Sequence, residues 1–205
     1  PFLKVFPLKL FNPLIIIPTV TFLWGAHNWL EVINIKIESL IPPPTWFWEL
    51  FDQVLKSDMG FWGTFMKVAV VAPVVEELIF RGLILQGLRR NYNCFTAVVV
   101  TALLFALFHL NPWQFPATFV LGLILGWLMV RTNNIFVAII GHSANNSLVL
   151  LAVTYWETIK SHAIYLMDKE ALLYLSSLIM LVSVILIYLL SEKWWKPHRK
   201  KPVKT

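Results

Sequence analysis

Two adjacent carboxylates, Glu76 and Glu77, precede Arg81 within the long apolar run Phe61 to Leu88. An ionised side chain at a bilayer centre costs about 2.5–3.5 kcal/mol on the gentler insertion scales, so such groups face the protein interior, pair with one another and mark function. Two later apolar stretches carry matching partners: Phe105 to His109, and His142 to Asn146. A carboxylate shielded from bulk water can exchange protons near neutrality. Imidazole and carboxamide donors act strongly on a developing oxyanion in a low-dielectric pocket. A glutamate with two histidines is also a zinc ligand set, here Glu76, His109 and His142, although the helix-borne H-E-x-x-H spacing is absent. No serine or cysteine has an obvious activating base, though Ser143 and Ser147 lie near the third stretch.

Spacing within each stretch is helical. Glu77 and Arg81 are i and i+4 and can pair on one face, while Glu76 is turned about 100° away. The same spacing joins Phe105 to His109 and His142 to Asn146. We infer that Glu77 and Arg81 lock their helix while Glu76 points at the histidines.

The elements that must position these groups are membrane helices. The chain has 205 residues, of which 58% are hydrophobic and 14% charged, with a mean hydropathy of +0.70. Soluble domains carry about 25% charged residues, so this is an integral, polytopic, all-α membrane protein. Six apolar stretches approach the roughly 20 residues of a spanning helix: about 12–31, 60–88, 94–110, 115–131, 134–156 and 171–192. We read 1–205 as one transmembrane domain with a catalytic core at about 60–157. Accessory spans cover 12–31 and 171–192, and an interfacial segment covers 44–57. Within that segment Thr45 to Leu55 is amphipathic, suited to the interface or to a simple connection; Pro42-Pro43-Pro44 breaks the helix before it.

Lysine and arginine set the orientation. Lys4 and Lys9, Arg89 and Arg90, Arg131 and the basic tail Lys193 to Lys204 fall on one side of a six-span chain. The acidic 32–59 connection falls on the other, giving N-in and C-in, with Trp24, Trp29, Trp62, Trp113 and Trp156 as a belt on the acidic side. The net charge of +6 gathers in the tail and reads as an anchor at anionic lipid, not a nucleic-acid footprint. The first apolar run lacks a clear cleavage site and is read as a retained span. Cys94 is the one cysteine. It excludes an internal disulfide and reads as packing.

Depth brings the polar groups together. At 1.5 Å per residue from the basic side, Glu76 lies roughly 20 Å up its helix and His109 about 22 Å, while His142 and Asn146 lie roughly 16 and 22 Å up theirs. Three helices therefore deliver their polar residues to one layer. Gly122 and Gly126 form a GxxxG that permits close helix packing, here within the bundle.

The pattern Glu76-Glu77-x-x-x-Arg81, Phe105-x-x-x-His109, His142-x-x-x-Asn146 resembles the CPBP family. These are intramembrane proteases related to the CAAX prenyl endopeptidase and to bacteriocin-processing and immunity proteins. The resemblance covers about 73–150. It implies peptide hydrolysis in the membrane, with Glu76 as general base and His109 helping to bind or orient the water. His142 and Asn146 would stabilise the tetrahedral intermediate, Glu77 and Arg81 would support the site, and Phe105 would contribute to the substrate pocket. It implies a membrane-associated or lipidated peptide substrate, no nucleic acid, and a multi-pass protein of a bacterial plasma membrane. The family has been described with and without zinc; we favour the metal-free mechanism, with no cofactor.

Blander readings exist for each group. Glu76, Glu77 and Arg81 can be a buried structural network, His109 an interfacial histidine, and His142 with Asn146 interhelical hydrogen-bond glue. His27, His162 and His198 read as interfacial or solvated. The rival functions are a non-enzymatic immunity or scaffold protein of the same family, and a proton-coupled transporter using Glu76, Glu77 and His142 as a relay. A transporter would show repeated half-structures, and the sequence has none.

Overall fold

The computed structural model describes residues 7, 11–55, 60–162 and 167–191. Lys4, Lys9, Lys56, Asp58 and the basic tail with Trp194, Trp195 and His198 lie outside the described residues. The described part is an all-α bundle: α1 (Ile16–Leu40), α2 (Thr45–Leu55), a continuous helical run α3 over 60–88, α4 (Cys94–Phe108), α5 (Phe115–Thr132), α6 (Ile135–Thr154) and α7 (Lys169–Ser191). Among the described residues, α5, α6 and α7 have the length and apolar composition to cross a membrane, and α4 is a shorter apolar helix.

The first helix is longer than its apolar stretch. It continues to Leu40 because Glu31, Asn34 and Glu38 recur at helical spacing and nothing breaks the chain before Pro42. α1 pairs with α7 through Thr21 Oγ1 and Ser183 Oγ at 2.9 Å and through Trp29 Nε1 donating to Ser177 Oγ at 3.1 Å. These are the short interhelical hydrogen bonds expected between membrane helices. Arg131, expected as an interfacial charge, is instead 6% exposed. Its Nε donates to Ser191 Oγ at 2.8 Å and its guanidinium lies 3.7 Å from the Tyr188 ring, tying α5 to α7.

Asparagines punctuate the core. Asn93 accepts from Thr96 N and Asn134 from Phe136 N, capping α4 and α6. Asn133 takes the left-handed conformation that ends α5, so a two-residue turn makes α5 and α6 antiparallel. Gly122 and Gly126 do pack within the bundle. A Cβ at Gly122 would meet Ala102 Cα at 2.9 Å, and one at Gly126 would meet Val98 Cγ1 at 2.9 Å. Cys94 departs from its reading as packing: it is exposed, because it opens α4 directly after the Asn93 cap and precedes the first buried residue, Ala97.

α3 is not a uniform α-helix. Wider, π-type turns over Met66–Val71 and Leu78–Ile84 flank the α-helical Ala72–Glu77. Such turns concentrate at functional sites, and here they bracket both glutamates.

Candidate active site

Glu77 is the centre of the buried layer. It and Arg81 are each 0% exposed, and Arg81 Nη1 donates to Glu77 Oε1 at 2.8 Å, the i,i+4 pair expected from spacing. The same oxygen receives His142 Nδ1 at 2.9 Å from α6. Glu77 is therefore more than a lock on its own helix. It fixes the imidazole with Nδ1 as donor and leaves Nε2 directed to Glu76, whose Oε2 is 3.8 Å away. Glu76 is 19% exposed at its side chain and lines a cavity with His142, His109 and Asn146. Arg81 Nη2 reaches Gly122 O at 3.2 Å, a carbonyl left accessible because no side chain covers it.

Phe105 was expected to line the substrate pocket. It is instead wholly buried and forms the floor beneath the site. Arg81 Cζ lies 4.5 Å from its ring centroid, and the His109 and His142 rings lie at 4.8 and 5.6 Å. An aromatic at i−4 to His109 faces inward on α4, so helical spacing located the face but not which of the two side chains meets the cavity.

His109 follows the last turn of α4. Its Nδ1 is 2.8 Å from Phe105 O; with Nδ1 donating to that carbonyl, Nε2 is the free ring nitrogen. His109 and Glu76 share the cavity wall.

Asn146 is held at both ends of its amide. Its Nδ2 donates to Val68 O at 2.9 Å, and its Oδ1 accepts from Asn145 Nδ2 at 3.2 Å. The free carbonyl has a sequence cause. Ala72 N–H is bonded to Lys67 O, and the next partner in that register, for Val68 O, is Pro73, which has no N–H. The proline thus leaves an acceptor for the asparagine of another helix. One Nδ2 hydrogen remains available to a ligand.

The cavity measures about 700 Å³, within the range of ligand sites. Its wall includes residues that sequence reasoning missed: Lys67, Asn145, Thr118 and Gln114, and the α1 stripe His27, Glu31, Asn34 and Glu38. The stripe's 4-3-4 spacing was legible in the sequence. His27, read as interfacial, belongs to this wall. Phe47 and Trp48 of α2 also line the cavity with Trp113, whose ring is 5.1 Å from Phe47.

Among the described residues no three His, Cys, Asp or Glu side chains stand close enough to hold an ion. His142 Nδ1 is engaged by Glu77 and His109 Nδ1 lies against a backbone carbonyl, so Nε2 is the nitrogen that each ring has left for a ligand.

The bundle and its cavity define a polytopic helical membrane protein with a buried acid–imidazole layer. Residues 58–148 match the model of the family described as type II CAAX prenyl endopeptidase Rce1-like. The matched segment is the one that carries the candidate site and its three motifs. A Bacillus subtilis protein named "Putative membrane peptidase YdiL" is 29% identical over 83 residues, covering 40% of this chain and 34% of that protein. The match spans about a third of the relative's length. No solved structure matches the chain significantly.

Proposed function

We propose that this chain is an intramembrane endopeptidase of the CAAX type, hydrolysing a peptide bond of a membrane-associated or lipidated peptide by a glutamate-activated water without a bound metal. The carrying observation is the shared cavity of Glu76, His109, His142 and Asn146, with its partly exposed carboxylate set against a buried one. Water binds between Glu76 and His109 Nε2. Glu76 takes its proton as the oxygen adds to the substrate carbonyl, and the oxyanion meets the free Nδ2–H of Asn146. His142 joins as a donor from Nε2 when its ring carries both protons, with Nδ1–H held by Glu77. Collapse breaks the C–N bond, and Glu76 returns the proton to the leaving amine. General base catalysis contributes about 10²–10⁴-fold.

Glu76→Gln is the test. Cleavage of a membrane peptide falls by about 10²–10⁴-fold while the protein still inserts and purifies as a folded species. Undiminished cleavage removes Glu76 from the mechanism, and proton-coupled uptake without peptidase activity moves the reading to a transporter. Chelator treatment separates the mechanisms, since the metal-free reaction is insensitive to it. We further read the chain as a bacterial plasma-membrane protein with N-in, C-in orientation. An impermeant maleimide then reaches the exposed Cys94 from the cytoplasmic face alone.

A further inference from the structure

A helix of five-residue steps seldom persists unaided, yet α3 has one over Leu78–Ile84, the turn that carries Arg81. Leu85 N–H bonds Phe80 O, five residues back, and Arg89 N–H bonds Leu85 O, four residues back. A change from the wider step to the tighter one passes over one backbone acceptor. The carbonyl next to Phe80 O is Arg81 O, and a side chain takes it: Gln86 Nε2 donates to Arg81 O at 3.2 Å. The other end of the same amide is also held, because Arg89 Nη1 donates to Gln86 Oε1 at 3.1 Å. With Oε1 toward a guanidinium, Nε2 is the atom left to face the carbonyl.

The first π-type turn ends alike. Ala72 N–H bonds Lys67 O, and the carbonyl after it, Val68 O, accepts from Asn146 Nδ2 at 2.9 Å. Two side-chain amides, one from α6 and one from α3 itself, stand where the wide turns close. Glu76 and Glu77 lie between them.

The angular consequence is large. A π-type turn holds one residue more than the α-turn it replaces. Closing it to α therefore rotates one side of the helix against the other by about 100°. The side that follows is pinned, since Leu85 is wholly buried in a cluster with Ala97, Met129, Ile135 and Ala138. The rotation falls on the side that precedes, which presents Glu77 to His142 Nδ1 at 2.9 Å and Glu76 to the cavity.

We propose that Gln86, which lies outside the cavity wall, is a positioning residue of the reaction. By occupying Arg81 O it keeps the turn Leu78–Ile84 wide, and so holds Glu77 against the His142 ring and Glu76 in the cavity. This rests on the hydrolytic reading above and deepens it with a support that touches no substrate.

Two substitutions separate the donor from the rest of the side chain. Gln86→Met keeps the length and removes the donor. Gln86→Glu keeps an acceptor for Arg89 but, as a carboxylate, has nothing to donate to Arg81 O. Should Gln86→Met fail to purify as a folded protein, Gln86→Glu carries the test. The first measurement does not depend on turnover. The protein is prepared with isotopically labelled histidine, and the imidazole N–H that His142 gives to Glu77 is the resonance missing from His142→Gln. The parent shows it, and in both Gln86 variants it disappears or exchanges with water at least about tenfold faster, as expected where one hydrogen bond is lost. The second measurement is cleavage of a membrane peptide. Here kcat falls at least about tenfold in both variants with KM unchanged, because the substrate-facing wall is intact. A resonance and a kcat that both survive overturn the proposal. So does a lowered kcat with the resonance intact, a lost resonance with full kcat, or a rise in KM alone, since each separates Gln86 from the alignment assigned to it. A parent without the resonance has no held ring to position and overturns it too. Loss of the resonance in the variants, with no cleavage by the parent, keeps Gln86 as the support of the Glu77–His142 contact and removes the hydrolytic reading.

Discussion

His142 Nδ1 stands 2.9 Å from Glu77 Oε1, joining α6 to α3 through the oxygen that also holds Arg81. Two neighbouring glutamates thereby acquire different work. Glu77 is sealed off and holds one partner on its own helix and one on α6, and Glu76 meets the cavity. Glu77→Gln keeps the shape but leaves Arg81 buried with its charge unpaired, a change that costs about 3–5 kcal/mol. Thermal unfolding in detergent should show that loss for Glu77→Gln and little change for Glu76→Gln, while cleavage should fail in both. Equal stability of the two variants would remove the distinction.

Asn145 is a positioning residue for its neighbour. Its amide donates to Asn146 Oδ1 and so sets which way the Asn146 amide faces. In the proposed mechanism Asn146 is the oxyanion donor, so Asn146→Ala should lower kcat by about 10²–10³. Asn145→Ala should lower kcat by about tenfold, the worth of one hydrogen bond, with KM unchanged. A rise in KM at constant kcat would assign Asn145 to substrate binding instead.

The glycines of α5 separate by what they touch. At Gly122 an added methyl meets the backbone of Ala102 on α4, which cannot yield, so α5 must shift and with it the Gly122 O that Arg81 bonds. Gly122→Ala should cost about 1–3 kcal/mol and reduce activity. Gly126→Ala meets only a Val98 methyl and should cost less. Gly87 has open space around it, so Gly87→Ala should stabilise by about 0.5–1 kcal/mol. Thermal unfolding of the three variants checks the order.

The layer of charge was legible because ionisable groups in apolar helices are few and counting at 1.5 Å per residue fixes their depth. Glu77 with Arg81 and the shared placing of His142 and Asn146 follow from that count. Rotation was harder to read. Whether Phe105 or His109 faces the cavity depends on how α4 packs on Phe80 and Arg81, which no single-helix period contains. Lys67 was passed over because a lysine near a span's end ordinarily snorkels to the interface. Arg131 likewise reads as a flank until α7 is folded beside it. The extension of α1 to Leu40 was visible in the recurrence of Glu31, Asn34 and Glu38, and the apolar-run length hid it.

Pro73 offers the sharpest separation of fold from function. Its missing N–H leaves Val68 O to Asn146, whose Nδ2 lies 2.9 Å away. Pro73→Ala restores a donor one register step beyond the Ala72 N–H to Lys67 O bond, so the helix can satisfy Val68 O by itself. Proline in a helix interior costs about 3 kcal/mol where it removes a bond, so the variant should be as stable as the parent or more so. Its activity should nevertheless fall, because Asn146 loses the acceptor that holds its amide toward the cavity. A stabilised protein with reduced kcat supports this division of labour. A stabilised protein with full kcat would mean that Asn146 keeps its orientation through Asn145 alone, and that the proline serves only to shape α3.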